Sequence, residues 1–239
     1  MNVKFTLTKE KQIYFGITLF RIKSKKDFAD VKKNDLGGWV ETAENLESSG
    51  DAWVSGNARV SGDARVSGNA LVYGNARVSG NALVYGNARV YGDARVSGNA
   101  QVSGNALVYG DARVYGDALV SGNARVSGNA RVYGNALVYG NAQVSGNALV
   151  YGDARVYGDA LVSGNARVEK SPLLIQGTKH TITAINGKIK IGCEEHTIAM
   201  WLKNYAKIGE KHLYTDEQIN EYHKYILLCA ELAKAEGKS

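Results

Sequence analysis

Gly56-Asn-Ala-Arg-Val-Ser-Gly-Asp-Ala-Arg-Val-Ser-Gly-Asn-Ala-Leu-Val-Tyr73 is three copies of one six-residue unit, Gly-(Asn/Asp)-Ala-x-Val-x. The unit runs twenty times without insertion from Gly50 to Glu169. Alanine and valine lie two residues apart, so in an extended chain they point the same way, and the residues on either side of valine point the other way. The valines and alanines are therefore the core. The Gly-Asn or Gly-Asp pair tolerates the positive φ of a corner, so each unit forms one side of a prism. No single unit can bury its own apolar face; stacking on copies of itself supplies the core. Burying each valine contributes roughly 1.5–3 kcal/mol, offset by an ordering cost of similar size.

Outward from the array lie two flanks, which divides the chain into residues 1–49, 50–169 and 170–239. The net charge of +6 falls as +2 on each part, so there is no basic tail or acidic block. Met1 to Gly16 has charges where a signal peptide needs an apolar run, and no stretch approaches the roughly 18 apolar residues of a membrane span. The expectation is a cytosolic protein without membrane contact. The only cysteines, Cys193 and Cys229, lie outside the repeats and fit a reducing compartment.

In the first flank, Ile13 to Ile22 reads as strands, followed by a charged connection. Asp35-Leu-Gly-Gly-Trp-Val-Glu41 leads into the array as a first irregular coil, with Gly37 and Gly38 giving backbone freedom at a corner. An open solenoid end exposes unpaired backbone groups, so this flank reads as a cap. In the second flank, Thr181–Ile185, Asn186-Gly187 and Lys188–Ile191 form a hairpin with a two-residue turn. Thr197 starts a helix ending at Gly209, and Thr215 with Gln218 makes a capping box for a second helix.

The pairing of Val60 with Ala64 and of Val66 with Ala70, continued through the array, resembles the hexapeptide-repeat, left-handed parallel β-helix family. The resemblance implies a mainly β fold: a triangular parallel β-helix with three hexapeptides per coil and six to seven coils. An N-terminal β cap and a small C-terminal α+β unit would flank it. The departure from that family is the glycine immediately before Asn/Asp, where many members carry it one place earlier.

Eighteen residues per coil would stack outward positions about 4.8 Å apart. One face then carries Arg59, Arg77, Arg95, Arg113 and Arg131, a gap at Leu149, and Arg167, beside Tyr115, Tyr133 and Tyr151. A second shows Trp53, Leu71 and Leu107 beside Tyr73, Tyr91 and Tyr109. The third holds Leu83, Leu119 and Leu137 with Tyr85, Tyr139 and Tyr157. The arginine column is a candidate anion-binding surface, and the apolar columns are candidates for a protein interface. Relaxed duplication of one repeat would generate such columns too.

The array has no histidine, the general base that the resembled acyltransferases need, and no loop insertion to build a pocket. It also lacks threonine, which excludes ice-binding ladders. Cys193 and His196 have ligand-like spacing, but structural zinc sites show two close ligand pairs, so no metal site and no cofactor is assigned.

The lead-in at 35–41, the uninterrupted array and the tail Ile189-Lys-Ile-Gly-Cys-Glu-Glu-His-Thr197 resemble hexapeptide-repeat proteins encoded in phages and prophages of Gram-positive bacteria. The resemblance implies context, with no activity assigned to particular residues. The expectation is a non-catalytic, phage-encoded binder that inhibits or sequesters a host protein or ribonucleoprotein, such as a defence (CRISPR) effector. Alternatives are nucleic-acid or nucleotide binding through the arginine face, an acyltransferase relative, or a structural virion protein. Side-by-side pairing of columns into dimers or trimers is a further expectation.

Overall fold

The computed structural model describes residues 3–236. Strands β1 (Phe5–Tyr14), β2 (Ile17–Ser24) and β3 (Leu36–Val40) precede twenty two-residue strands, here called rungs, from Trp53–Val54 to Arg167–Val168. The rungs form three parallel sheets, and each rung pairs with those eighteen residues away, as Arg95 does with Arg77 and Arg113. The coil of three hexapeptides is therefore observed. All rung valines are buried, as are all array alanines except Ala166 near the C-terminal end.

Between coils the backbone ladder is regular. Asn99 N donates to Gly116 O at 2.8 Å, Gln101 N to Ala118 O at 2.9 Å and Ser103 N to Val120 O at 2.9 Å. Each corner turns at a left-handed glycine. At Gly104, φ is +65°, and an added Cβ would lie 2.9 Å from Gly122 N. Both backbone conformation and space demand glycine there.

The N-terminal sheet extends the arginine-bearing sheet in the order β1, β2, β3 and then the rung at Arg59. The hairpin turns at Phe15 and Gly16, both with positive φ, so the expected strand region divides there and β1 reaches back to Phe5. Gly37 and Gly38 lie within β3 and not at a corner. Their role is close approach: a Cβ at Gly37 would sit 2.4 Å from Ile22 Cγ1, and one at Gly38 2.7 Å from Ala58 O. The expected gain in backbone freedom is thus replaced by a packing requirement.

The first coil is completed by side chains. Buried Asn45 accepts from Glu41 N and Thr42 N and donates to Gly62 O and Ala64 O. Carboxylates of Glu41 and Glu47 accept from Gly62 N at 2.7 Å and Gly68 N at 2.8 Å. Fully buried Lys4 donates to Glu47 O and Ser49 O. Removal from water pushes its ammonium down to about 8, against the opposing pull of Asp51 and Glu47.

At the other end stands an antiparallel sheet of β4 (Leu173–Gln176), β5 (Thr181–Ile185), β6 (Lys188–Ile191) and β7 (Glu194–Thr197), followed by α1 (Ile198–Lys211) and α2 (Asp216–Glu236). The hairpin register is as read, Ile182 opposite Ile191 and Ala184 opposite Ile189. The outer strands β4 and β7 are additions. Thr197 Oγ1 caps α1 by accepting from Met200 N, and Thr215 and Gln218 exchange the two bonds of a capping box. Gly209, expected to end α1, lies inside it. Ile219 of α2 fills the space where its Cβ would be, 2.7 Å away. The unit closes the solenoid: Leu174 and Ile185 pack on the array core, Lys190 Nζ reaches Ser163 Oγ at 2.9 Å, and Asn186 donates to Arg167 O. Among the described residues no helix is long and apolar enough to cross a membrane.

Candidate functional site: the outer faces of the solenoid

The register assembles the arginine column as expected: Trp39, Arg59, Arg77, Arg95, Arg113, Arg131, Leu149 and Arg167 lie in sequence on one sheet. Its members are not equivalent. The ring of Tyr14, at the tip of the β1–β2 hairpin, stands 4.6 Å from the Arg59 guanidinium and 4.8 Å from that of Arg77. Both arginines are half-buried, and Arg59 Nε is buried without a hydrogen-bond partner. Arg95, Arg113 and Arg131 are exposed, and among the described residues no carboxylate forms an ion pair with them. Adjacent like charges at rung spacing cost on the order of 1 kcal/mol per pair at the dielectric of water. An anion lying along the column would relieve that cost.

Tyr115, Tyr133 and Tyr151 stack beside these arginines with centroids 4.9 and 5.4 Å apart. Partial burial and the neighbouring Tyr133 raise the Tyr115 phenol, while Arg131 and Arg113 pull it down. This hydroxyl stays protonated at neutral pH, so the arginines have no internal counter-charge from it.

The apolar columns are less available than their sequence implies. Trp53 is buried: Phe28, from the connection before β3, meets it edge-on at 5.4 Å, so it belongs to the cap. Leu71 packs partly on the core, and Arg89 and Arg125 flank Leu107 on the same sheet. Tyr73, Tyr91 and Tyr109 stack at 4.9 and 5.0 Å with their faces turned to one another. On the third face Leu119 pairs with Leu137 in a half-buried strip, Gln101 intervenes after Leu83, and Tyr139 stacks on Tyr157 at 5.5 Å. Stacking consumes the ring faces and leaves edges and hydroxyls outward.

In the C-terminal unit His196, of the ligand-like pair with Cys193, is engaged by Glu194 and is not part of the ligand group that contains Cys193. His196 Nε2 lies 2.9 Å from Glu194 Oε2, and its ring meets Trp201 edge-on at 5.3 Å. Cys193, Glu194 and His212 converge instead, with one ligand-type atom from each within 4.8 Å of the others. Hydrogen bonds from His212, Lys211 and His196 hold the Glu194 carboxyl down at about 2. His223 stacks on Tyr205, and Cys229 is buried with its thiol pushed up to about 11 by desolvation. The sequence offered no sign of Tyr14 over the arginines, because a hairpin tip outside the repeats has no periodic relation to them. For Glu194 and His212 the signal was only their residue type.

Residues 52–170 match the model of the YdcK beta solenoid repeat in overlapping segments that tile the array. This is a repeat β-solenoid protein. A comparison with curated proteins found no match. The repeat match covers the coils and leaves the hairpin cap and the C-terminal unit outside it.

Proposed function

We propose that this β-solenoid protein is a non-catalytic binder of a macromolecular partner in the cytosol, holding it through the arginine face. The supporting observation is the run of Arg95, Arg113 and Arg131, in register, exposed and without ion pairs among the described residues, beside a stack of tyrosines. A rigid coil loses little entropy when such a face is covered, so modest contacts add up. The array lacks histidine and has no insertions, which favours binding over acyl transfer. On the resemblance to phage and prophage repeat proteins, the partner proposed is a host component, such as a defence effector, with the protein acting as its inhibitor.

Affinity purification from phage-infected cells tests this reading. A specific protein partner that survives nuclease treatment is the expected result; recovery of nothing above an unrelated solenoid bait would sink it. A second reading, direct nucleic-acid binding, is favoured by the same arginines lying beside aromatic rings. Its mark would be binding lost on nuclease treatment, with a steep salt dependence that Arg95→Glu and Arg113→Glu flatten.

A further inference from the structure

We infer that the C-terminal unit carries a site for a zinc-class divalent cation, with Cys193, Glu194 and His212 as its ligands. Three elements bring them together. The β6–β7 hairpin turns through Gly192 and Cys193, Gly192 having φ +57°, which sets the thiol at the tip and Glu194 at the first position of β7. His212 caps the C-terminus of α1, its backbone N–H held by Ile208 O and Gly209 O. Lys179 Nζ fixes the following turn by donating to His212 O at 2.9 Å and Leu213 O at 3.0 Å. The imidazole is thus presented from a backbone that is bonded on both sides.

The donor set suits a borderline-soft ion: one thiolate, one imidazole nitrogen and one carboxylate oxygen, with bonds of about 2.0–2.3 Å. Such bonds space tetrahedral ligands by roughly 3–4 Å. Glu194 Oε1 and His212 Nε2 are already 2.8 Å apart, and all three ligand atoms lie within 4.8 Å, so closing on an ion needs side-chain movements of about an ångström. The carbonyl end of α1 adds a favourable field for a cation. A pocket enclosing about 40 Å³ opens beside the three ligands and is lined also by His180, which leaves room for a fourth ligand or a water.

Lys211 is the internal competitor. Its ammonium lies 3.2 Å from Glu194 Oε1 on a largely exposed side chain, and an incoming cation would displace it. Cys193 ligates as thiolate and His212 through the Nε2 that now donates to Glu194, so binding releases the thiol proton to the buffer and moves the imidazole proton to Nδ1, or to the buffer if the ring is charged. This role is separate from the arginine face: either could fail without touching the other.

The test is cobalt titration of the full-length, untagged, chelator-stripped and reduced protein, followed by zinc competition. One cobalt per chain with a sulfur-to-cobalt charge-transfer band is expected, together with proton release. Cys193→Ser should lose the band, His212→Ala should weaken binding by tenfold or more, and Cys229→Ala should leave the band intact. Lys211→Met should tighten binding severalfold, a gain that damage to the fold cannot mimic. Absence of the band in the wild type, its survival in Cys193→Ser, or unchanged affinity in Lys211→Met would each overturn the assignment.

Discussion

At Gly104 the solenoid is unforgiving, because positive φ and the 2.9 Å approach to Gly122 N coincide there. Gly104→Ala should lower stability by on the order of 1–3 kcal/mol, read by thermal or urea unfolding; an unchanged midpoint would show that the coils shift freely past one another. Lys4 gives a pH-dependent counterpart. Its folded-state value of about 8 lies below the ordinary 10.5, so the unfolded chain binds more protons between those pH values. Stability therefore rises with pH across that window, as the cost of burying the charge is relieved. The shift corresponds to roughly 3 kcal/mol in total. Wild type minus Lys4→Met, measured by denaturant unfolding at pH 8 and at pH 10.5, should show that rise; a flat difference would mean that the amine stays hydrated.

The corner asparagines form a second ladder along each edge of the prism. Asn69 donates to Asn87, and the chain continues through Asn105, Asn123 and Asn141 to Asp159. Every such bond runs from the amide of one coil to Oδ1 of the next, so an aspartate can only end a run. On another edge Asn81 and Asn99 lead to Asp117, and a fresh run begins at Asn135 and ends at Asp153. Asp117→Asn supplies the missing donor to Asn135 and should stabilise by up to about 1 kcal/mol, read as a raised midpoint. A lowered midpoint would contradict the ladder's direction. These ladders show where sequence legibility ends. Which residues stack came from the resemblance that implies three hexapeptides per coil, whereas period two and period six showed which residues face in and which face out, because those follow from strand geometry alone. The hairpin Asn186-Gly187 and both helix caps were legible for the same reason: each is encoded within a few residues. What escaped was non-periodic and distant in sequence, namely Phe28 covering Trp53, Tyr14 covering Arg59 and Arg77, and Ile219 packing at Gly209. Cys193, Glu194 and His212 meet only because the turn after β6 faces the end of α1.

For the whole molecule, the two caps and the arginine face have distinct tasks. Side chains of Lys4, Asn45 and Glu47 finish one end, the β4–β7 sheet covers the other, and the coils between hold a column of charge at fixed spacing. The hairpin of β1 and β2 covers Arg59 and Arg77, so the uninterrupted open run of that column is Arg95, Arg113 and Arg131, with exposed Arg167 beyond Leu149. At roughly 0.5 kcal/mol per exposed contact, removing three would weaken a partner by about tenfold, and reversing their sign by more. The decisive measurement is the affinity of the recovered partner for wild type and for the Arg95→Glu/Arg113→Glu/Arg131→Glu protein, with matched thermal unfolding to show that the coils are intact. A loss of at least about tenfold that narrows as salt rises is the predicted result. Equal affinity at low salt would contradict the arginine face as the binding surface.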